Sequence, residues 1–158
     1  MNDAEILDRL VALGLELPDP PAAVASYLPC VVQGWMAYVA GQVPIVDGSI
    51  VNPGAVGDRV SLDEAADAAR RAALQGLSAL RDGLGGSFDR LERIVKVMVF
   101  VAAAPGFVDH PKVANGASDL LVEVLGDDGR HARAAVGVTS LPLGACVEVV
   151  VTAAVQPE

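Results

Sequence analysis

The chain is predicted to fold as an α+β domain in which a mixed sheet carries two helices on one face. Three observations predict it. Two stretches, 61–84 and 111–124, repeat apolar residues every third or fourth position, as amphipathic helices do. Runs rich in β-branched residues, 94–101, 131–138 and 146–155, stand between and after them, and a hairpin signal precedes both helices. In the resulting order (hairpin, helix, strand, helix, strand, strand) two helices cover one face of a sheet and only one.

Taken in order, Asn2 and Glu5 form a capping box ahead of Ile6, Leu7, Leu10, Val11 and Leu13, with Gly14 as a stop, so a short helix is expected over 3–13. Pro18, Pro20 and Pro21 then impose an extended link, which places an N-terminal extension at 1–22 and the main domain at 23–158. Two apolar runs, 27–32 and 35–40, flank Gln33-Gly34 as a hairpin. Pro44, Asp47-Gly48 and Asn52-Pro53 make 42–57 a loop with one turn-bounded strand.

Ser61 and Glu64 form a second capping box. Behind it Leu62, Ala66, Ala69, Ala73, Leu77, Leu80 and Leu84 line one helix face, with Arg70, Arg71, Gln75 and Arg81 largely off it. Gly83, Gly85 and Gly86 end this helix, and Gly126 and Gly129 end the next. In 94–101, strict alternation puts Val95, Val97, Val99 and Val101 on one face, and Ile94, Lys96, Met98 and Phe100 on the other. The last strand sets Val147, Val149 and Val151 against Cys146, Val150 and Ala154. Strands this apolar on both faces need cover on both, so self-association through the sheet is expected.

At 53% hydrophobic and 20% charged, the chain is far from a disordered composition, and 158 residues suffice for one domain. Twenty acidic against eleven basic residues give a net charge of −9, which repels polyanions and argues against nucleic-acid binding. The most apolar run, 94–104, contains Lys96 and is too short to span a bilayer, so no membrane partner is expected. Cys30 and Cys146 match no zinc or redox spacing, no metal-ligand cluster is visible, and the first residues do not form a signal peptide. A cytoplasmic location is the simplest expectation.

Charged residues on a sheet covered from both sides need a partner or a task, which singles out Lys96, Arg133 and Glu148. Strands joined by a short loop would bring Arg133 and Glu148 near each other. Two readings stand: a structural ion pair, which contributes little net stability, or an Arg that grips a ligand anion beside a Glu that orients water. His131 has no Ser or Cys at a spacing that would need it as a base, and the isolated cysteines read as small hydrophobes.

The run from Arg133 through Leu141-Pro142 to Glu148 resembles the closing motif of the RidA/YjgF family, also called the endoribonuclease L-PSP family. Gly41-Gln42-Val43-Pro44, the strand Val97 to Val101 and Val113-Ala114-Asn115 match further segments of it in order, over 23–155. The resemblance implies a chorismate-mutase-like fold whose sheets form a central barrel in a homotrimer, with ligand pockets in the clefts between subunits. It implies Arg133 as the carboxylate anchor, Glu148 as the water-positioning group, and Tyr27, Gly41 and Asn115 as substrate contacts, with no cofactor and no metal. Ala40 and Ala135 depart from the deaminase branch, which often has Ser and Cys there, and the N-terminal helix suggests a longer branch.

The expected function is hydrolytic deamination of reactive enamine or imine intermediates of the 2-aminoacrylate type to 2-keto acids and ammonia. The alternative is a module of the same fold that binds a small carboxylate-bearing metabolite without turnover. Ribonuclease activity ranks last because of the acidic surface.

Overall fold

A computed structural model describes residues 1–22 and 25–157. Ala23, where the sequence places the start of the main domain, lies outside the described residues. The elements run α1 (Asp3–Ala12), β1 (Cys30–Gln33), β2 (Met36–Val39), β3 (Ile45–Val46), β4 (Ser49–Ile50), α2 (Leu62–Gly83), β5 (Leu91–Ala102), α3 (His110–Leu125), β6 (Ala132–Val138) and β7 (Val147–Val155). The main sheet has the order β1-β2-β7-β5-β6, antiparallel except for the parallel pair β5–β6, and α2 and α3 cover one face. The predicted α+β architecture is therefore present.

Both capping boxes form. Asn2 Oδ1 accepts from Glu5 N at 2.9 Å while Glu5 Oε2 accepts from Asn2 N at 3.0 Å; Ser61 and Glu64 exchange the same pair of bonds. The short β3–β4 ribbon turns at Asp47 and Gly48, both with positive φ, so 42–57 holds two strands rather than one. His110 opens α3. Ile6 and Leu10 of α1 are buried in the same core as α2 and α3, and Asp3 ties this helix down by a bidentate bond to Arg81 and by accepting from Phe88 N.

Two expectations need correction. Strict alternation fails in β5, because irregular pairing between Leu91 and Arg93 and between Ile94 and Lys96 leaves Glu92 and Val95 as extra residues. Ile94 thereby joins Val97, Val99 and Val101 under the helices, all fully buried, and Val95 turns outward. Secondly, β6 and β7 are not neighbours, since β5 runs between them. A parallel β5–β6 pair needs a crossover, and α3 supplies it. The second face of the sheet is uncovered in the single chain, the face for which self-association is expected: Met98, Phe100 and Val150 are half-buried there, and Tyr38 and Val136 are exposed at 50% and 43%. Lys96 is exposed on the same face.

Candidate active site

The expected site residues fall into two groups. Arg133 registers with Val97, and Glu148 with Phe100, whose side chains point to opposite faces of β5. Three residues along the strands and two strand spacings across separate Arg133 from Glu148 by about 14 Å, on opposite sides of the sheet. They form no ion pair, which removes the structural salt bridge as an account of either residue within one chain.

The first group sits where edge strand β6 meets the start of α3. Arg133 Nη1 donates to Asn115 Oδ1 at 2.9 Å and to Ser118 Oγ at 3.0 Å, and Nη2 donates to the Pro111 carbonyl at 3.3 Å. These bonds leave Nε–H and one Nη2 hydrogen for a side-on carboxylate, and the guanidinium is exposed rather than walled in. Ser118 also bonds His131 Nε2 at 2.9 Å, and His131 Nδ1 lies 2.6 Å from the Gly129 carbonyl. A carbonyl only accepts, so Nδ1 carries the proton and Nε2 accepts from the Ser118 hydroxyl. Burial holds His131 below its ordinary value against the pull of the Gly129 carbonyl, and the positive Arg133 adds to the lowering. Sequence spacing concealed the Ser118–His131 contact, because α3 and β6 meet only in the packed crossover.

The second group lines a cavity of about 570 Å³ at the end of β2, which holds Tyr27, Gly41 and Glu148 together with Gln42, Gln75 and Leu143. Gln42 pairs with Val149 across the gap that opens where β2 ends. Glu148 is half-buried, accepts no hydrogen bond among the described residues, and has its carboxyl pushed up by burial. It lies directly against Gly41: a Cβ at residue 41 would clash with Glu148 Oε1 and fall 2.7 Å from Cδ. Only glycine admits that carboxylate. Gln75 is 8% exposed in the middle of α2, where the sequence reading set it off the apolar face. Its signal was available: a Gln enclosed by Ala72, Ala73, Leu74, Gly76 and Leu77.

Among the described residues no group of three or more His, Cys, Asp and Glu is arranged to hold a metal ion, and no helix is long and apolar enough to cross a membrane.

Residues 7–155 match the family described as "YjgF/chorismate mutase-like, putative endoribonuclease". Protein TCP17 of Trypanosoma cruzi is 44% identical over 142 residues, 89% of this chain and 88% of that protein. The crystal structure of Atu1372 from Agrobacterium tumefaciens, of unknown function, superposes with a TM-score of 0.90 at 39% identity, covering 98% of this chain and 94% of the other. A structure from Shewanella oneidensis MR-1 gives 0.90 at 32% identity, covering 94% and 98%. With the motif from Arg133 to Glu148 carried on this fold, the chain belongs to the YjgF/chorismate mutase-like family.

Proposed function

We propose that the Arg133 cluster and the Glu148 cavity are two halves of one site, completed between copies of the chain, that hydrolyses small carboxylate-bearing imines. The observation that carries this is the Glu148 carboxylate: half-buried, unpaired, and admitted to its cavity only by Gly41. An unpaired buried carboxylate costs stability, so a site that retains one gains something else by it. A three-carbon imino acid cannot reach across the ~14 Å between Arg133 and Glu148 of one chain, through the sheet. Two copies are therefore required if both groups act on one molecule. The uncovered apolar face, with Met98, Phe100, Val150 and Tyr38, supports association through the sheet, and a homotrimer with a central barrel is the assembly we propose.

In this reading Arg133 grips the carboxylate side-on, which holds the imine carbon beside Glu148. The Glu148 carboxylate takes a proton from water as its oxygen bonds to that carbon. Glu148 returns that proton to nitrogen, the C–N bond of the resulting carbinolamine breaks, and the hydroxyl proton passes to the departing ammonia as the carbonyl forms. The iminium carboxylate and one water become a 2-oxo acid and ammonium, with no electrons gained or lost. The test is ammonia and 2-oxo acid release from 2-aminoacrylate generated in situ by a dehydratase. Acceleration is expected, together with its loss in Arg133→Ala and Glu148→Gln variants that keep the oligomer. No acceleration over buffer rejects this substrate, and a monomer at micromolar concentration in analytical ultracentrifugation rejects the shared site.

Capture of a small metabolite without turnover is the second reading. It is favoured by the scarcity of acid–base groups around the cavity, where Glu148 stands among Ala40, Val43, Ile45 and Leu143. Ligand-dependent thermal shifts without product formation would select it.

A further inference from the structure

The proposed chemistry leaves Gln75 idle, and unlike the Gln42 amide, which donates to the Ala40 carbonyl, it is not tied down within the cavity. It lies at mid-helix in α2, flanked by residues that are all buried, and its amide has no hydrogen-bond partner among the described residues. Among the described residues no buried side-chain nitrogen or oxygen is sealed off without a partner, so the Gln75 amide keeps contact with the cavity it lines. Met or Leu at this position would fill the same space with no polar group to satisfy. The cavity, at about 570 Å³, also falls in the range of roughly 300–1,000 Å³ that suits ligands well beyond three carbons.

We propose that Gln75 reads a neutral carboxamide at the far end of the ligand, so that the preferred substrates are imino acids with an amide-bearing side chain. This rests on the cavity reading given above and extends it to the side chain. A primary amide presents an acceptor and a donor side by side, and its best mate presents the same pair reversed. Two carboxamides meet in this way through two N–H···O=C bonds, whichever way the Gln75 amide is turned. A carboxylate in that position would meet the Glu148 charge across apolar walls, whereas an ammonium would be drawn to Glu148 itself. The walls formed by Val43, Ile45 and Leu143 suit the intervening methylenes.

Three stable probes of nearly one shape separate these cases: glutaramate, 5-oxohexanoate (methyl in place of the amide NH2) and glutarate. Calorimetry on the full chain should show wild type binding glutaramate 5- to 100-fold tighter than the other two, the range expected when a site's polar group loses its mate. Gln75→Met should bring glutaramate and 5-oxohexanoate within about twofold of each other. In the wild-type protein, the Gln75 side-chain amide resonances should move further with glutaramate, which makes both bonds, than with 5-oxohexanoate, whose ketone oxygen can only accept, a readout independent of how the variant folds. Equal binding of glutaramate and 5-oxohexanoate to wild type, or a preference that survives Gln75→Met, overturns the role of Gln75 and leaves the cavity reading standing. Absence of binding by all three overturns both.

Discussion

Replacing Gly41 by alanine tests the placement of Glu148 without touching its chemistry. An alanine Cβ would clash with Glu148 Oε1 and lie 2.7 Å from Cδ and 3.1 Å from Cγ. Non-bonded carbons need about 3.5 Å, so the carboxylate must retreat by on the order of 1 Å or more. Gly41 has no positive φ, so alanine fits its backbone, and the obstructing atoms belong to the end of a flexible side chain. Stability should therefore change by less than about 1 kcal/mol, a Tm shift within ~4 °C for a chain of this size. A displacement of about 1 Å at a positioned group can cost on the order of 100-fold in rate. The expected result is a fall of that order in kcat/KM for imine hydrolysis, carried by kcat, with calorimetric unfolding nearly unchanged. The reasoning is refuted by a Gly41→Ala enzyme that keeps full rate, or by one that unfolds, since then the steric conflict is not confined to Glu148.

Gly116→Ala should behave oppositely, because its Cβ would strike the backbone of α2 at the Ala66 carbonyl, 2.7 Å from its carbon, and neither helix yields cheaply. A loss of about 1–3 kcal/mol or more is expected in urea unfolding, and a neutral result would mean that α2 and α3 do not pack this closely. Acid should destabilise the fold in two windows: His131 and Asp3 are both lowered in the folded state, so each contributes stability that is lost as pH falls, below about 6.5 and below about 3.8 respectively. Urea midpoints measured from pH 7 to 5 should lose much of their slope in His131→Phe; an unchanged slope contradicts the assignment. Glu148 has the opposite sign, since its raised carboxyl favours the folded state only at low pH, and hydrolysis should fade on acidification at a pH above the ordinary 4.5. Cys146 is fully buried, with its thiol pushed up to about 11, so iodoacetamide at pH 8 should modify it only after denaturation. Rapid native labelling would contradict that burial.

The helices were legible because their information is local. Asn2 with Glu5 and Ser61 with Glu64 satisfy orphan amides within one turn, and the apolar spacing of α2 and α3 needs no distant partner to be read. The β-branched runs announced strands equally well, and the motif from Arg133 to Glu148 announced the family. Pairing was a different matter. Register is set by contacts between residues far apart in the chain, and the bulge at Val95 moved Ile94 to the covered face against simple alternation.

What the sequence determined by itself was composition of structure: which segments are helix or strand, the surplus of acid, and the residue types available for chemistry. What only the tertiary structure decided was neighbourhood. Strand β5 separated β6 from β7, the pairing register put Arg133 and Glu148 on opposite faces, α3 brought Ser118 to His131, and packing turned Gln75 from a residue off the apolar face into a buried amide facing a cavity. The physical reason is that burial and pairing belong to the packed whole, whereas propensity and capping belong to a few consecutive residues.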